Sequence, residues 1–270
     1  MDDATIYRWN GLYKVGSVAA WVAVLIFRRW LGAEFLFFRG MGIIRAGPKA
    51  LPSTVLEWFT LLQAHRLIGL ILLNAFDIVN YALVGLIFLG LYAALGRTHR
   101  SSMIAATALG FLGVAVYIAS NHAFSMLSLS DQYVAATRDA QRSTLLAAGQ
   151  ALLAIQNPNA IGQASLSFFL VTLAGLIISI VMLRNRVFSK ATAYTGILAN
   201  AFGLGYPFGV AFAPRTVVFP LVALSLSASA CFLVIWYVLI ARRLWQLGRG
   251  GSEAGMDKAL TTRSQREGPA

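Results

Sequence analysis

Asn74, Asp77 and Asn80 stand three residues apart in "LLNAFDIVNYALVGLIFLG", residues 72–90, a run that is otherwise almost wholly apolar. A carboxylate between two amides has the chemistry of a proton or cation site. Asp77 would carry the charge, with Asn74 and Asn80 as neutral co-ligands. On a helix a step of three residues falls about 60° short of a full turn, so the trio and Tyr81 make one narrow polar sector. That sector must face protein or a cavity, because a carboxylate in lipid costs about 2.5–3.5 kcal/mol even on the lenient insertion scale. The competing reading makes Asp77 a structural group, hydrogen-bonded to other helices or ion-paired with a loop arginine.

A second irregularity is "LANAFGLGYPFGVAFAP", residues 198–214. Gly203, Gly205, Gly209 and Pro207 weaken a helix there, and such breaks at membrane depth need protein or a cavity to satisfy the freed backbone. Asn200 lies one turn before the break, where it would supply the other half of a binding site facing Asp77. The plainer alternative is a proline kink with Gly205 and Gly209 as a close-packing notch, matched by the small residues of "LSLSASA" in the next segment. His65 and His122 fall on one side of the membrane in the topology derived below and are weak candidates for a metal or haem iron. Neither belongs to a His-x-x-His or Glu-x-x-His spacing, and Glu57 or Asp131 would have to complete the site from loops, so no cofactor is expected. The sequence has no G-x-S-x-G elbow, P-loop or G-x-G-x-x-G fingerprint. Its single cysteine, Cys231, excludes an intramolecular disulfide or a CxxC pair.

The elements that would position these residues follow from composition. The chain of 270 residues is 58% hydrophobic and 12% charged, with a mean hydropathy of +0.70; an ordinary soluble domain is roughly 25% charged. These values define an integral membrane protein, all-α, with the lipid bilayer as its first partner. The net charge of +12 does not point to nucleic acid, because the 22 Lys and Arg cluster at the ends of apolar segments. Six spans are expected at about 11–27, 67–96, 102–121, 162–183, 191–213 and 217–241. They would form a polytopic helix bundle over residues 1–247, the first span being retained and not cleaved as a signal.

The segment 67–96 would be about 45 Å long as one helix, so tilt, a protruding end or a break near Asn74 must absorb the excess. "PSTVLEW" offers Ser53 or Thr54 as the N-cap of an amphipathic surface helix over about 55–66. A second surface helix is expected over about 131–155, capped by Ser130 and ended by Asn157-Pro158, with Val134, Leu145, Ala148, Leu152 and Ile155 on its apolar stripe. With both termini in the cytoplasm, 13 of the 22 Lys and Arg lie inside, Arg28 and Arg29 being the exception. The tail, 248–270, has Gly, Ser and mixed charge without periodicity and reads as disordered.

Three blocks carry a family likeness: "HRLIGLILLNAFDIVNYALVGLIFLGLYAALGRTHRS", "SNHAFSMLSLSDQYVAATRDAQRSTLLAAGQALLAI" and "LAGLIISIVMLRNRVFSKATAYTGILANAFGLGYPF". Together they resemble an uncharacterised bacterial multi-pass membrane family catalogued as domain of unknown function 4386, over residues 9–247. The resemblance implies a six-span protein of the bacterial plasma (inner) membrane, with the basic turns after spans two and four in the cytoplasm. It brings no activity, substrate or catalytic residue. Three functions remain open: binding or transport of a small ligand or ion around Asp77, Asn80 and Asn200; a non-catalytic accessory or sensory subunit with a membrane-protein partner or a homo-oligomer; and an enzyme acting on lipid or quinone through His65, His122 and Asp131.

Overall fold

The computed structural model describes residues 9–26, 52–155, 163–212 and 215–266. Arg28 and Arg29, the connection up to Leu51 and the stop at Asn157-Pro158 lie outside the described residues. Every element among the described residues is helical: α1 (Trp9–Ile26), α2 (Val55–Ala64), α3 (Arg66–Leu72), α4 (Ala75–Leu95), α5 (Arg100–Ser120), α6 (Ala123–Ala135), α7 (Asp139–Ile155), α8 (Gln163–Arg184), α9 (Lys190–Phe212) and α10 (Arg215–Arg266). Five stretches are long and apolar enough to cross a membrane: Trp9–Ile26, Ala75–Leu95, Arg100–Ala135, Ser165–Arg184 and Leu224–Arg249. Such helices are compatible with a membrane helix bundle. The third of them runs through α5 and α6.

Six helices pack in a circuit. α4 lies against α5, α5 against α8, α8 against α9 and α9 against α10. α1 closes the ring between α4 and α10. A Cβ built on Gly16 would stand 2.9 Å from the Cα of Gly90, so only glycine on both sides permits this crossing. On its other flank, the Ser17 hydroxyl donates to the Ala241 carbonyl at 2.8 Å. The ring buries one apolar core that includes Ala20, Ile87, Leu91, Ile178, Trp236 and Leu244.

A second, smaller core joins α2, α3, α6 and α7 into a cap at the N-terminal end of α4. α2 begins behind Thr54, which accepts from the Glu57 N–H while Glu57 accepts from the Thr54 N–H in return, a closed capping box. Backbone donors at Ser53 and Thr54 hold the Glu57 carboxyl below its usual range. Leu62 and Phe59 fill the cap core, and Gly149 of α7 lets that helix settle on Val55 and Phe59.

Where one surface helix over 131–155 was expected, there are two. Ser130 is not a cap but a buried residue of α6, donating to the Phe59 carbonyl and accepting from Gln63. The chain turns at Ala136, whose carbonyl accepts from the Arg142 guanidinium at 3.1 Å, and α7 then folds back so that both helices reach α2. The apolar stripe changes accordingly: Leu145 and Gly149 are buried, while Val134 and Ile155 are 62% and 51% exposed.

The long segment 67–96 is likewise divided. Asn74 takes a left-handed conformation, φ 61° and ψ 29°, and separates α3 from α4. α4 is then 21 residues, close to the thickness of a hydrocarbon core at about 31 Å. Two further differences concern the C-terminal half. α9 is continuous through Pro207, which removes the break and leaves the kink alternative, and the Ser225 and Ser229 hydroxyls of α10 donate to its Phe202 and Ala199 carbonyls. Residues 248–266, expected to be disordered, continue α10, and no proline interrupts them before Pro269.

Because an L-residue other than Asn or Gly at φ 61° carries about 1–2 kcal/mol of strain, Asn74→Gly is expected to melt within a few degrees of wild type in detergent micelles. Asn74→Ala is expected to lose about 1 kcal/mol. Equal melting of the two variants would show that the left-handed turn is not what divides α3 from α4.

Candidate functional site

The six-helix circuit surrounds a partly open cavity of about 460 Å³, lined by residues from every helix of the ring. Ile26 comes from α1, Asp77 to Phe88 from α4, Tyr117 from α5, Phe168 to Gly175 from α8, Ala199 and Asn200 from α9, and Leu226 to Tyr237 from α10. The walls are mainly aromatic and aliphatic, with a few polar groups among them, the usual make-up of a small-molecule pocket. Three of the four residues singled out by spacing meet here: Asp77, Asn80 and Asn200 all line the same space.

Asp77 stands in the first turn of α4, at the cap end of the cavity. Its Oδ2 accepts from the Tyr117 hydroxyl at 3.1 Å. The Tyr117 ring lies flat on Tyr81, with centroids 3.8 Å apart and planes 3° from parallel, so the two aromatics form one wall beside the carboxylate. Among the described residues no Lys, Arg or His comes within ion-pair distance of Asp77; the salt bridge there is Arg66 to Asp131, in the cap. The expectation of a loop arginine on Asp77 therefore finds no partner among these residues.

Asn80 is one turn further along α4, and its Oδ1 is buried with no hydrogen-bond partner. Asn200 is 4% exposed and donates through Nδ2 to the Gly196 carbonyl at 2.7 Å. Gly175 makes room for it, since a Cβ there would collide with the Asn200 amide. Two hydroxyls along the cavity are spent on backbone: Thr172 on Phe168, and Ser229 on Ala199. Such bonds cross or brace helices without adding a free donor to the cavity.

Asn74 does not belong to this site. At the left-handed break it has left α4, and its carbonyl accepts from Asn121 Nδ2 at 3.0 Å. His65 is exposed at the joint of α2 and α3, and His122 precedes α6. Among the described residues no group of three or more His, Cys, Asp and Glu converges to hold a metal ion. Asp131 is engaged by Arg66 and Gln63, both at 2.8 Å, which ties α6 to α2 and α3. Spacing could not reveal Tyr117 as the partner of Asp77, or Trp236 and Tyr237 as part of the same cavity lining. Tyr81 was visible as part of the polar sector.

No family model, curated protein or solved structure matches this chain. The family resemblance stands on the quoted sequence blocks alone.

Tyr117→Phe keeps the ring stack and removes the donor to Asp77. It is expected to cost about 1 kcal/mol in thermal unfolding, and less in an Asp77→Leu background, where no acceptor remains. An equal cost in both backgrounds would mean that the hydrogen bond contributes nothing and that the loss comes from packing.

Proposed function

We propose that this chain is a six-span protein of the bacterial inner membrane that binds a small ligand inside its helix bundle, at the cavity of Asp77, Asn80 and Asn200. The observation that carries the reading is the closed circuit of six helices around one cavity in which a carboxylate and two amides meet aromatic walls. α9 is the sixth span in this reading. Its hydropathy is lowered by Lys190, Asn200 and Pro207, yet it is 23 residues long and lies between α8 and α10. It also turns a row of Tyr194, Leu198 and Phe202 outward. Membership of the resembling multi-pass family belongs to the same reading.

The orientation is supported by charge. Arg97 lies over the Trp9 ring, Asn185 bonds Thr98, and Arg243 donates to the Val187 carbonyl. These contacts, and the approach of Lys14 to Gly248, gather Lys14, Arg97, Arg184 and Arg243 at one end of the ring. The acids with described side chains, Glu57, Asp77, Asp131 and Asp139, lie towards the cap. By the positive-inside rule the basic end faces the cytoplasm and the cap faces outward. In intact cells carrying Cys231→Ser, an impermeant maleimide is expected to label Gln132→Cys in the cap and to spare Ser252→Cys in the tail; the reverse pattern refutes the orientation.

For the ligand site, a small-molecule panel is screened by melting shift. Compounds that stabilise wild type are expected to lose most of that shift in Ala230→Trp, which fills the cavity. If every stabilising compound acts equally on the filled variant, the cavity is not the binding site.

A second reading, a non-catalytic accessory or sensory subunit, draws on the exposed apolar side chains of the cap, among them Leu56, Leu67, Phe124 and Val134. It requires a stoichiometric partner to co-purify in mild detergent, and a clean monomer or homodimer across several detergents removes it.

A further inference from the structure

At the Asp77 end of the cavity, hydrogen-bond acceptors outnumber the donors that reach them. Asp77 receives one donor, the Tyr117 hydroxyl, and an ionised carboxylate accepts several. One helical turn away, Asn80 Oδ1 is buried and receives none. Residues three apart on a helix face are neighbours, with Cβ atoms about 5–6 Å apart, so a single donor-rich group can reach both oxygens. The protein's own donors nearby do not fill the gap. Thr172 and Ser229 point theirs at helix carbonyls, Asn200 Nδ2 is held by Gly196, and the unpartnered Trp236 Nε1 lies against Gly196 of α9. Among the described residues no cationic side chain reaches Asp77.

A buried acceptor left without a donor costs about 1–3 kcal/mol, and an unpaired buried carboxylate costs more. The missing complement is a group with several N–H donors and a positive charge. Beside it stands the flat face of the Tyr81–Tyr117 stack, and beyond it the apolar walls of Phe88, Phe168 and Leu233. Aromatic faces attract cations that lie over them. An inorganic divalent ion fits poorly, since calcium and magnesium need six or more oxygens from a hard, polar cage. No group of three acidic or imidazole ligands exists among the described residues.

We infer that the cavity is built for an organic monocation, a primary or secondary ammonium on an apolar or aromatic body. The ammonium sits between Asp77 and Asn80 against the tyrosine pair, and the body extends toward Trp236. This inference rests on the cavity being a ligand site and specifies which chemistry it takes.

The test uses the full chain in phosphatidylcholine nanodiscs, with empty discs as the control for partitioning. Three probes share one ring system and differ in charge: 1-naphthylmethylammonium, 1-naphthylmethanol and 1-naphthoate. Binding is read by equilibrium dialysis. The ammonium is expected to bind at least about tenfold more tightly than the alcohol, which corresponds to one charge-assisted contact, and the carboxylate most weakly. In Asp77→Asn, which keeps the shape and the Tyr117 acceptor, the preference should shrink to about twofold or less; Asp77→Glu should restore part of it. In Ala230→Trp both ammonium and alcohol should be lost. Should that variant fail to fold, competition between the two probes for one saturable site on wild type replaces it.

Equal binding of ammonium and alcohol, with both abolished by Ala230→Trp or mutually competitive, overturns the cation inference and leaves the cavity reading standing. A tenfold preference that persists unchanged in Asp77→Asn also overturns the inference, because the charge recognised is then elsewhere. If neither probe binds wild type above empty discs, or if the filled variant binds both as well as wild type does, the cavity reading falls and this inference with it.

Discussion

Close approach of backbones at small residues is the constraint on which the rest of the architecture depends. α1 meets α4 at Gly16 and Gly90, where neither helix has space for a Cβ. α5 meets α8 at Gly113, with the Ser167 hydroxyl donating to the Gly113 carbonyl at 2.7 Å. α9 meets α10 at Gly205 and Ser225, and again where Ser229 donates to Ala199. In a bundle that also turns large apolar side chains such as Val18, Leu86, Phe111 and Leu198 outward, burial of hydrocarbon alone gives little preference for one helix arrangement over another. Van der Waals fit at short range and hydrogen bonds between helices supply that preference instead. If these crossings were filled with larger side chains, the circuit could not close around the cavity.

A closed ring of small-residue crossings also explains why a polar cavity can exist at all. Side chains that would otherwise fill the centre are drawn outward to make the walls: Trp236 lies over Gly196, and the Phe88 ring occupies the place of a Gly110 side chain. What remains inside is a space bounded by large rings. Its side-chain amides come from α4 and α9, through Asn80 and Asn200, its hydroxyls from α4, α5, α8 and α10, and its carboxylate, Asp77, stands at the cap end. That distribution limits the electrostatic cost, because the single charge sits in the first turn of α4 and not halfway along it. The start of a helix is also where a negative charge is favoured by the unpaired N–H groups.

The cap and the ring are joined by coincident breaks in two neighbouring helices. The α3–α4 break at Leu73 and Asn74 faces the α5–α6 break at Asn121 and His122, and the Asn121 amide donates across to the Asn74 carbonyl. One turn deeper, Tyr117 and Asp77 repeat the pairing of the same two helices. The cap therefore has its own core and its own polar staple, Arg66 and Gln63 on Asp131, and it reaches the ring through a narrow polar seam at the end of the cavity where the carboxylate lies.

How much of this was legible beforehand depended on the range of the interaction. Local signals were readable. The Thr54 and Glu57 capping pair marks the start of α2, because both partners lie within one turn. Runs of apolar residues mark the ring helices. Spacing of three puts Asp77, Asn80 and Tyr81 on one face of α4, because 3.6 residues per turn is a property of the backbone. Signals that mix local and distant terms were less decisive: Pro207 allows a break or a kink, and the helix runs on through it, while Ser130 looks like a cap, but a carbonyl 71 residues away draws it into α6. The sequence by itself determined the helical class, the apolar segments and the polar face of α4, all consequences of backbone geometry and hydropathy over a few turns. Only the tertiary structure decided that Asn74 leaves that face, that Tyr117 meets Asp77 and that Asn200 shares its cavity. Those outcomes depend on which helices touch and at what depth, and contacts between residues 40 or more positions apart leave no trace in local spacing.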